Sequence, residues 1–187
     1  MSVQLLAKRY AQAVFDLAIE NKEIDRVATD LKLVNTVLEE NRTLRKVLAN
    51  PVLDSSKKVK VLIALFGVDN RISKLTLLFL QLITKKGREV YVQDICNAFE
   101  TLYLDYNNEV KAKLITSYKV DSAFKNKITS KLVDMIKKNV LLEEEIDDRI
   151  IGGFIMQIED YQYDASVVNQ LRKLKNNFNE NLFVKQY

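Results

Sequence analysis

The residues best equipped for chemistry are Glu143-Glu144-Glu145, followed at once by Asp147-Asp148. Carboxylates that converge on one point could hold a divalent cation or share a proton as an acid/base pair. Neighbours along a strand point to opposite faces, however, so a run of this kind reads first as a solvated strand and turn. Other catalytic material is scarce. The chain has no histidine and one cysteine, Cys96. Neither zinc sites of His and Cys nor Ser-His-Asp and Cys-His catalysis can be assembled from these. Four glycines, Gly67, Gly87, Gly152 and Gly153, leave no material for a Walker loop or a G-x-G-x-x-G turn. Cys96 sits among helical apolar positions, as a core thiol would. Gly152-Gly153, inside an apolar strand pattern, suggests a bulge or a close backbone approach. Expected, then, is a protein with no catalytic residues, no metal and no cofactor.

Charge points the same way. The 187 residues carry 29 basic and 25 acidic side chains, a net charge of +4. Residues 1–105 hold 16 basic and 13 acidic groups, and residues 106–187 hold 13 and 12. Lysine and arginine occur as short separated clusters: Lys57-Lys58-Lys60, Lys85-Lys86-Arg88 and Arg172-Lys173-Lys175. Nucleic-acid binders concentrate them on one face. The expectation is no nucleic-acid partner. An all-helical RNA-binding or transcription-regulating module is the alternative, which a salt-dependent gel shift would detect. One unpaired cysteine suits a reducing compartment. The longest apolar run, Val61 to Val68, is under half of a membrane span of about 20 residues, so no direct membrane insertion is expected.

The elements that must position these residues fall into two groups. Residues 1–106 read as helices only, at about 3–20, 23–40, 42–49, 55–67, 71–86 and 90–106. Pro51 marks a break, Asp54-Ser55-Ser56 offers cap oxygens, and Gly67 and Gly87 stand where helices should stop. Near Asn107-Asn108 the period changes. Val110 to Tyr118 alternates as a half-buried strand does. A helix follows at 121–139, strands at Leu141–Ile146 and Ile150–Ile158, and a turn leads into Tyr161-Gln162-Tyr163. Asp164 or Ser166 caps a last helix with the stripe Val167, Leu171, Leu174 and Phe178. The fold class is therefore mainly α: a six-helix N-terminal bundle over residues 1–106, then a small α+β domain over residues 107–187.

Two helices are too apolar for a lone bundle. Around the first, at about 100° per residue, the apolar arc spans roughly 240°, against about 100° for an ordinary surface helix. The helix from Leu75 to Ile83 is similar, its polar arc being little more than Lys74, Gln81 and Lys85. Each can bury one face inside and offer another to a foreign helix. Ala7, Ala11, Ala13 and Ala18 would leave shallow grooves, and the hydroxyl of Tyr10 tolerates a half-wet interface. The candidates lie at the arc edges: Leu6, Tyr10, Ala13 and Leu17 on one helix, Leu75, Leu78 and Leu82 on the other. Helix-in-groove docking is the expected mode of recognition.

Four segments resemble, in order and across nearly the whole chain, the delta subunit family of F-type ATP synthases, called oligomycin sensitivity conferral protein in mitochondria. They are AKRYAQAVFDLAIENKEIDRV at 7–27, LANPVLDSSKKVKVLIALF, FLQLITKKGR, and IDDRIIGGFIMQIEDYQYDASVVNQLRKLKNNF. Two places depart from the family pattern. Asp164-Ala165-Ser166 stands for Asp-Gly-Ser, so the backbone there must tolerate a Cβ, and Ser117-Tyr118-Lys119-Val120 stands for Ser-Ala-x-x-Leu. The resemblance implies a non-catalytic peripheral-stalk subunit, a stator that keeps the alpha/beta head from turning with the rotor so that torque is coupled to ATP synthesis. It implies that the N-terminal bundle binds N-terminal helices of the alpha subunits, in a groove between the first and fifth helices. It implies that the C-terminal domain grips the b subunits, for which Gly152, Gly153, Val167 and Leu171 are the candidates. The expected location is the cytoplasmic face of a bacterial inner membrane, peripheral through the complex.

Overall fold

A computed structural model describes residues 3–67, 71–158 and 161–179. The chain divides into two compact units, Met1–Tyr106 and Asn107–Tyr187. Mainly helical with a small sheet, the architecture is of the fold class that the periodicities indicate.

The first unit holds α1 (Val3–Glu20), α2 (Ile24–Glu40), α3 (Arg42–Ala49), α4 (Ser55–Phe66), α5 (Lys74–Lys85) and α6 (Val92–Tyr106). A 3-10 turn at Glu89–Tyr91 leads into α6. α1 packs chiefly on α6, α2 on α6, and α4 on α5. Their inward faces form one apolar core that includes Val14, Val27, Leu31, Leu80, Ile83, Ile95 and Phe99. Phe15 meets the rings of Phe99 and Tyr106 edge-on, each at 5.8 Å. Ala7, Ala11 and Ala18 are almost wholly buried in this core. The small residues expected to receive a foreign helix therefore serve the bundle's own packing, because a side chain of one carbon lets a neighbouring helix close in. Ala13 alone of the four is exposed.

Polar contacts fix α5 within this apolar frame. Ser73 caps it by accepting from the Thr76 amide at 3.1 Å. The buried Asp30 carboxylate of α2 accepts from the Ser73 amide at 2.6 Å and from the Thr76 hydroxyl at 3.0 Å. Buried Lys58 of α4 pairs with Glu89 of the 3-10 turn. Asp54, expected as a cap for α4, occupies the position before that helix without a side-chain capping bond.

The second unit holds β1 (Glu109–Thr116), α7 (Ser122–Ile136), β2 (Asn139–Ile146), β3 (Phe154–Ile158), β4 (Tyr161–Asp164) and α8 (Val167–Asn179). The sheet order is β2-β1-β3-β4. β1 and β2 are parallel, Val110 facing Val140 and Leu114 facing Glu144, with α7 as the crossover that a parallel pair requires. β3 is antiparallel to β1, Leu114 facing Met156, and β4 is antiparallel to β3. Ala112, Leu114, Met156 and Leu132 of α7 centre the core.

The expected strand at Ile150–Ile158 begins only at Phe154. Ile150 instead ends a turn, its amide donating to the Asp147 carbonyl at 3.0 Å. Gly152 and Gly153 precede the strand. Gly153 has a φ of 81°, and a Cβ there would stand 2.4 Å from the Ala165 carbonyl oxygen. The close approach read from the sequence is thus real, and it is to the segment that starts α8.

Candidate functional site

Between α1 and α5 lies an open groove of about 630 Å³, lined by Val14, Leu17, Asn21, Glu23, Lys74, Leu75, Leu78, Phe79 and Leu82. Its geometry follows from helical spacing. Val14 and Leu17 stand three residues apart on α1, with Asn21 four further on in the turn that follows; on α5, Leu78 and Phe79 stand three and four residues after Leu75, and Leu82 four after Leu78. Val14 and Phe79 reach down into the core, whereas Leu17, Leu78 and Leu82 stay 48%, 60% and 49% exposed. The floor is thus an apolar strip joined to the core beneath and open above.

Four of the seven residues expected at this interface line the groove together: Leu17, Leu75, Leu78 and Leu82. The other three do not line it. Leu6 is buried, Tyr10 is half-buried against the core, and Ala13 is exposed; all three lie N-terminal to Val14 on α1. Sequence reasoning passed over Val14, Asn21, Glu23, Lys74 and Phe79. The signal for Asn21 was available, since it stands one turn beyond Leu17. Glu23 lies past the end of the apolar pattern, and only the turn after α1 brings it to the groove.

In the second unit, Gly152, Gly153 and Val167 meet. The Val167 amide donates to the Gly152 carbonyl at 3.0 Å, and a Cβ on Gly152 would lie 3.3 Å from a Val167 methyl. The two glycines therefore seat the start of α8. Ser166 caps α8, its hydroxyl accepting from the Asn169 amide at 3.2 Å. Asp164 accepts from the Ser166 amide at 2.9 Å, and its bonds to Ser166 hold its carboxyl below the usual range. Ala165 has no positive φ, so the Cβ where the family pattern has glycine is accommodated. Leu171 stands apart from the glycines on an exposed stripe with Val167, Val168 and Leu174. The side chain of Phe178 lies outside the described residues.

The acidic run does not converge. Glu143 and Glu145 point to one face of the sheet, where Lys111 stands 3.8 Å from Glu143 and Lys113 pairs with Glu145. Glu144 points to the other, accepting from Lys125 of α7 and from the Val120 amide. The Lys125 bond first, and then the Val120 bond, hold its carboxyl below the ordinary range. Asp147 chelates Arg149. Among the described residues no three His, Cys, Asp or Glu side chains gather as a metal site would require. Cys96 is buried, and burial, aided by the charge of Glu100, pushes its thiol up to about 12, which leaves it unreactive at neutral pH. No described helix is long and apolar enough to cross a membrane.

Comparison with known proteins agrees across almost the whole length. The family described as ATP synthase delta (OSCP) subunit matches residues 6–178. The ATP synthase subunit delta of Cytophaga hutchinsonii is 34% identical over 175 residues, which cover 94% of each chain. That of Clostridium botulinum is 31% identical over 174 residues, 92% of this chain and 95% of the relative. The same fold occurs in the Toxoplasma gondii mitochondrial ATP synthase hexamer, with a TM-score of 0.74 at 22% identity over 92% of this chain and 97% of that one. A family model over residues 6–178 and relatives more than 30% identical across more than nine-tenths of the chain lead to one conclusion: the chain belongs to the ATP synthase delta (OSCP) subunit family.

Proposed function

We propose that this chain is a non-catalytic stator subunit that links the catalytic alpha/beta head of an F-type ATP synthase to its peripheral stalk. The observation that carries the reading is the α1–α5 groove, whose Leu17, Leu78 and Leu82 stay half-exposed side by side on an apolar floor. Fully burying a leucine side chain contributes about 1.5–3 kcal/mol. Three half-exposed leucines on one floor therefore make a strong seat for an amphipathic helix. The occupant is the N-terminal helix of an alpha subunit. A joint under rotary load needs a slow off-rate, which buried apolar anchors supply better than surface ion pairs worth about 0–1 kcal/mol each.

The other attachment is to the b subunits, through the second unit. What supports this is α8, which is capped and seated at its start yet has no buried residue among those whose side chains are described. Torque on the head is then resisted through the chain, and the protein sits at the cytoplasmic face of a bacterial inner membrane by way of the complex.

Both attachments are tested together by isothermal calorimetry with a synthetic N-terminal peptide of the host alpha subunit and by co-purification of b subunits. Leu78→Asp is expected to weaken peptide binding at least about tenfold, the equivalent of 1.4 kcal/mol, while retaining b. Leu171→Asp is expected to lose b while binding the peptide normally. Unchanged peptide affinity in a Leu78→Asp protein with intact helicity would retire the groove as the docking site.

A further inference from the structure

The last helix has little to lean on beyond its start. Ser166 caps α8 and the two glycines seat its beginning, but every side chain from Gln170 to Asn176 is exposed. The helices α1 to α7 differ, since each has at least one buried side chain. The composition of α8 does not make up for the missing burial. Val167–Asn179 holds four asparagines and two valines, which are weak helix formers, and no alanine. It carries Arg172, Lys173 and Lys175 and no acidic residue, so no pair of opposite charges braces successive turns. Arg172 and Lys175 instead set like charges three residues apart. Isolated helices shorter than about 12–15 residues are marginal in water even when rich in alanine.

We infer that α8 is a conditional helix: in the free chain it exchanges with coil, and docking of a b subunit onto Val167, Leu171 and Leu174 completes it. This rests on the b attachment proposed for the second unit. Ordering the segment then takes up part of the docking free energy. Affinity for b therefore depends on how readily α8 forms, even at positions that b does not touch. Lys173 is such a position, roughly 160° around the helix from Leu171 and 100° from Leu174.

The full chain is compared as Lys173→Ala and Lys173→Gly. Both variants lose the charge, so they differ in helix propensity, worth a factor of about five. Calorimetric titration with the host b subunit is expected to find the glycine variant about fivefold weaker than the alanine variant. In the free unmodified chain, amides from Gln170 to Asn176 should exchange hydrogen within about tenfold of the unstructured rate, while those of Ala112 and Leu114 in β1 stay protected. Added b should slow the α8 amides. Equal b affinities of the two variants, or α8 amides protected in the free chain as β1 amides are, would show a preformed helix and overturn the inference. Fast exchange that bound b leaves unchanged would overturn it too. Normal b binding by Leu171→Asp would instead bring down the b attachment through α8, and exchange in the free chain would still decide whether the helix forms alone.

Discussion

At the scale of single residues, what a carboxylate does here is set by what faces it. Glu144 and its two neighbours are chemically alike, yet strand alternation sends Glu144 alone to the α7 face, where Lys125 and the Val120 amide receive it. Its folded pKa is depressed, so its contribution to stability is present above the ordinary carboxylate range, near 4.3, and fades as the pH falls through the lower folded value. Glu144→Gln is therefore expected to lower the denaturant midpoint at pH 7, and the gap from the unmodified chain should close toward pH 3. A gap that persists undiminished at pH 3 would show that charge is not the cause. Alternation made the divergence of these side chains legible in the sequence. Which cation meets which acid was not legible, since Lys125 and Glu144 become neighbours only when α7 crosses between the parallel strands.

Among the elements, the helices were the most readable. Six apolar periods, one proline and two glycines mark the six helices of the first unit to within three residues at each end. Boundaries failed where tertiary contact outweighed pattern. Ile150 and Ile151 continue the apolar run, but Gly153 has a positive φ and sits where any Cβ would run into the Ala165 carbonyl, and β3 starts after it. The groove was half legible for a related reason. Helical spacing shows which side chains share a face; it does not show how far along α1 the neighbouring helices cover that face. Hence Leu17 lines the groove and Leu6 is buried. The placement of α5, and with it the groove, depends on Asp30, which receives the Ser73 amide and the Thr76 hydroxyl in a buried setting. Asp30→Ala is expected to cost about 1.5–3 kcal/mol by chemical denaturation, the range for hydrogen bonds to a charged group. A loss under 0.5 kcal/mol, the level of an ordinary surface substitution, would mean that apolar packing alone sets α5.

For the whole molecule, two units with separate cores suit the proposed role of holding two partners at once. The core of the first unit draws on residues from Ala7 to Phe99, and that of the second centres on residues from Ala112 to Met156. A fragment of residues 1–106 is accordingly expected to fold alone, with cooperative thermal unfolding, and to bind the alpha N-terminal peptide with the affinity of the full chain. An unfolded fragment would show that the first unit needs the second.

The pairing of α1 with α6 has a consequence for how the protein is made. α1 finds its main packing surface on the last helix of the unit, which the ribosome makes some ninety positions later. At about 5–20 residues per second, several seconds pass in which Val14, Phe15 and Ala18 have nowhere to go. Until Phe99 arrives this inward face of α1 stays uncovered, and the nascent chain is at its most adhesive.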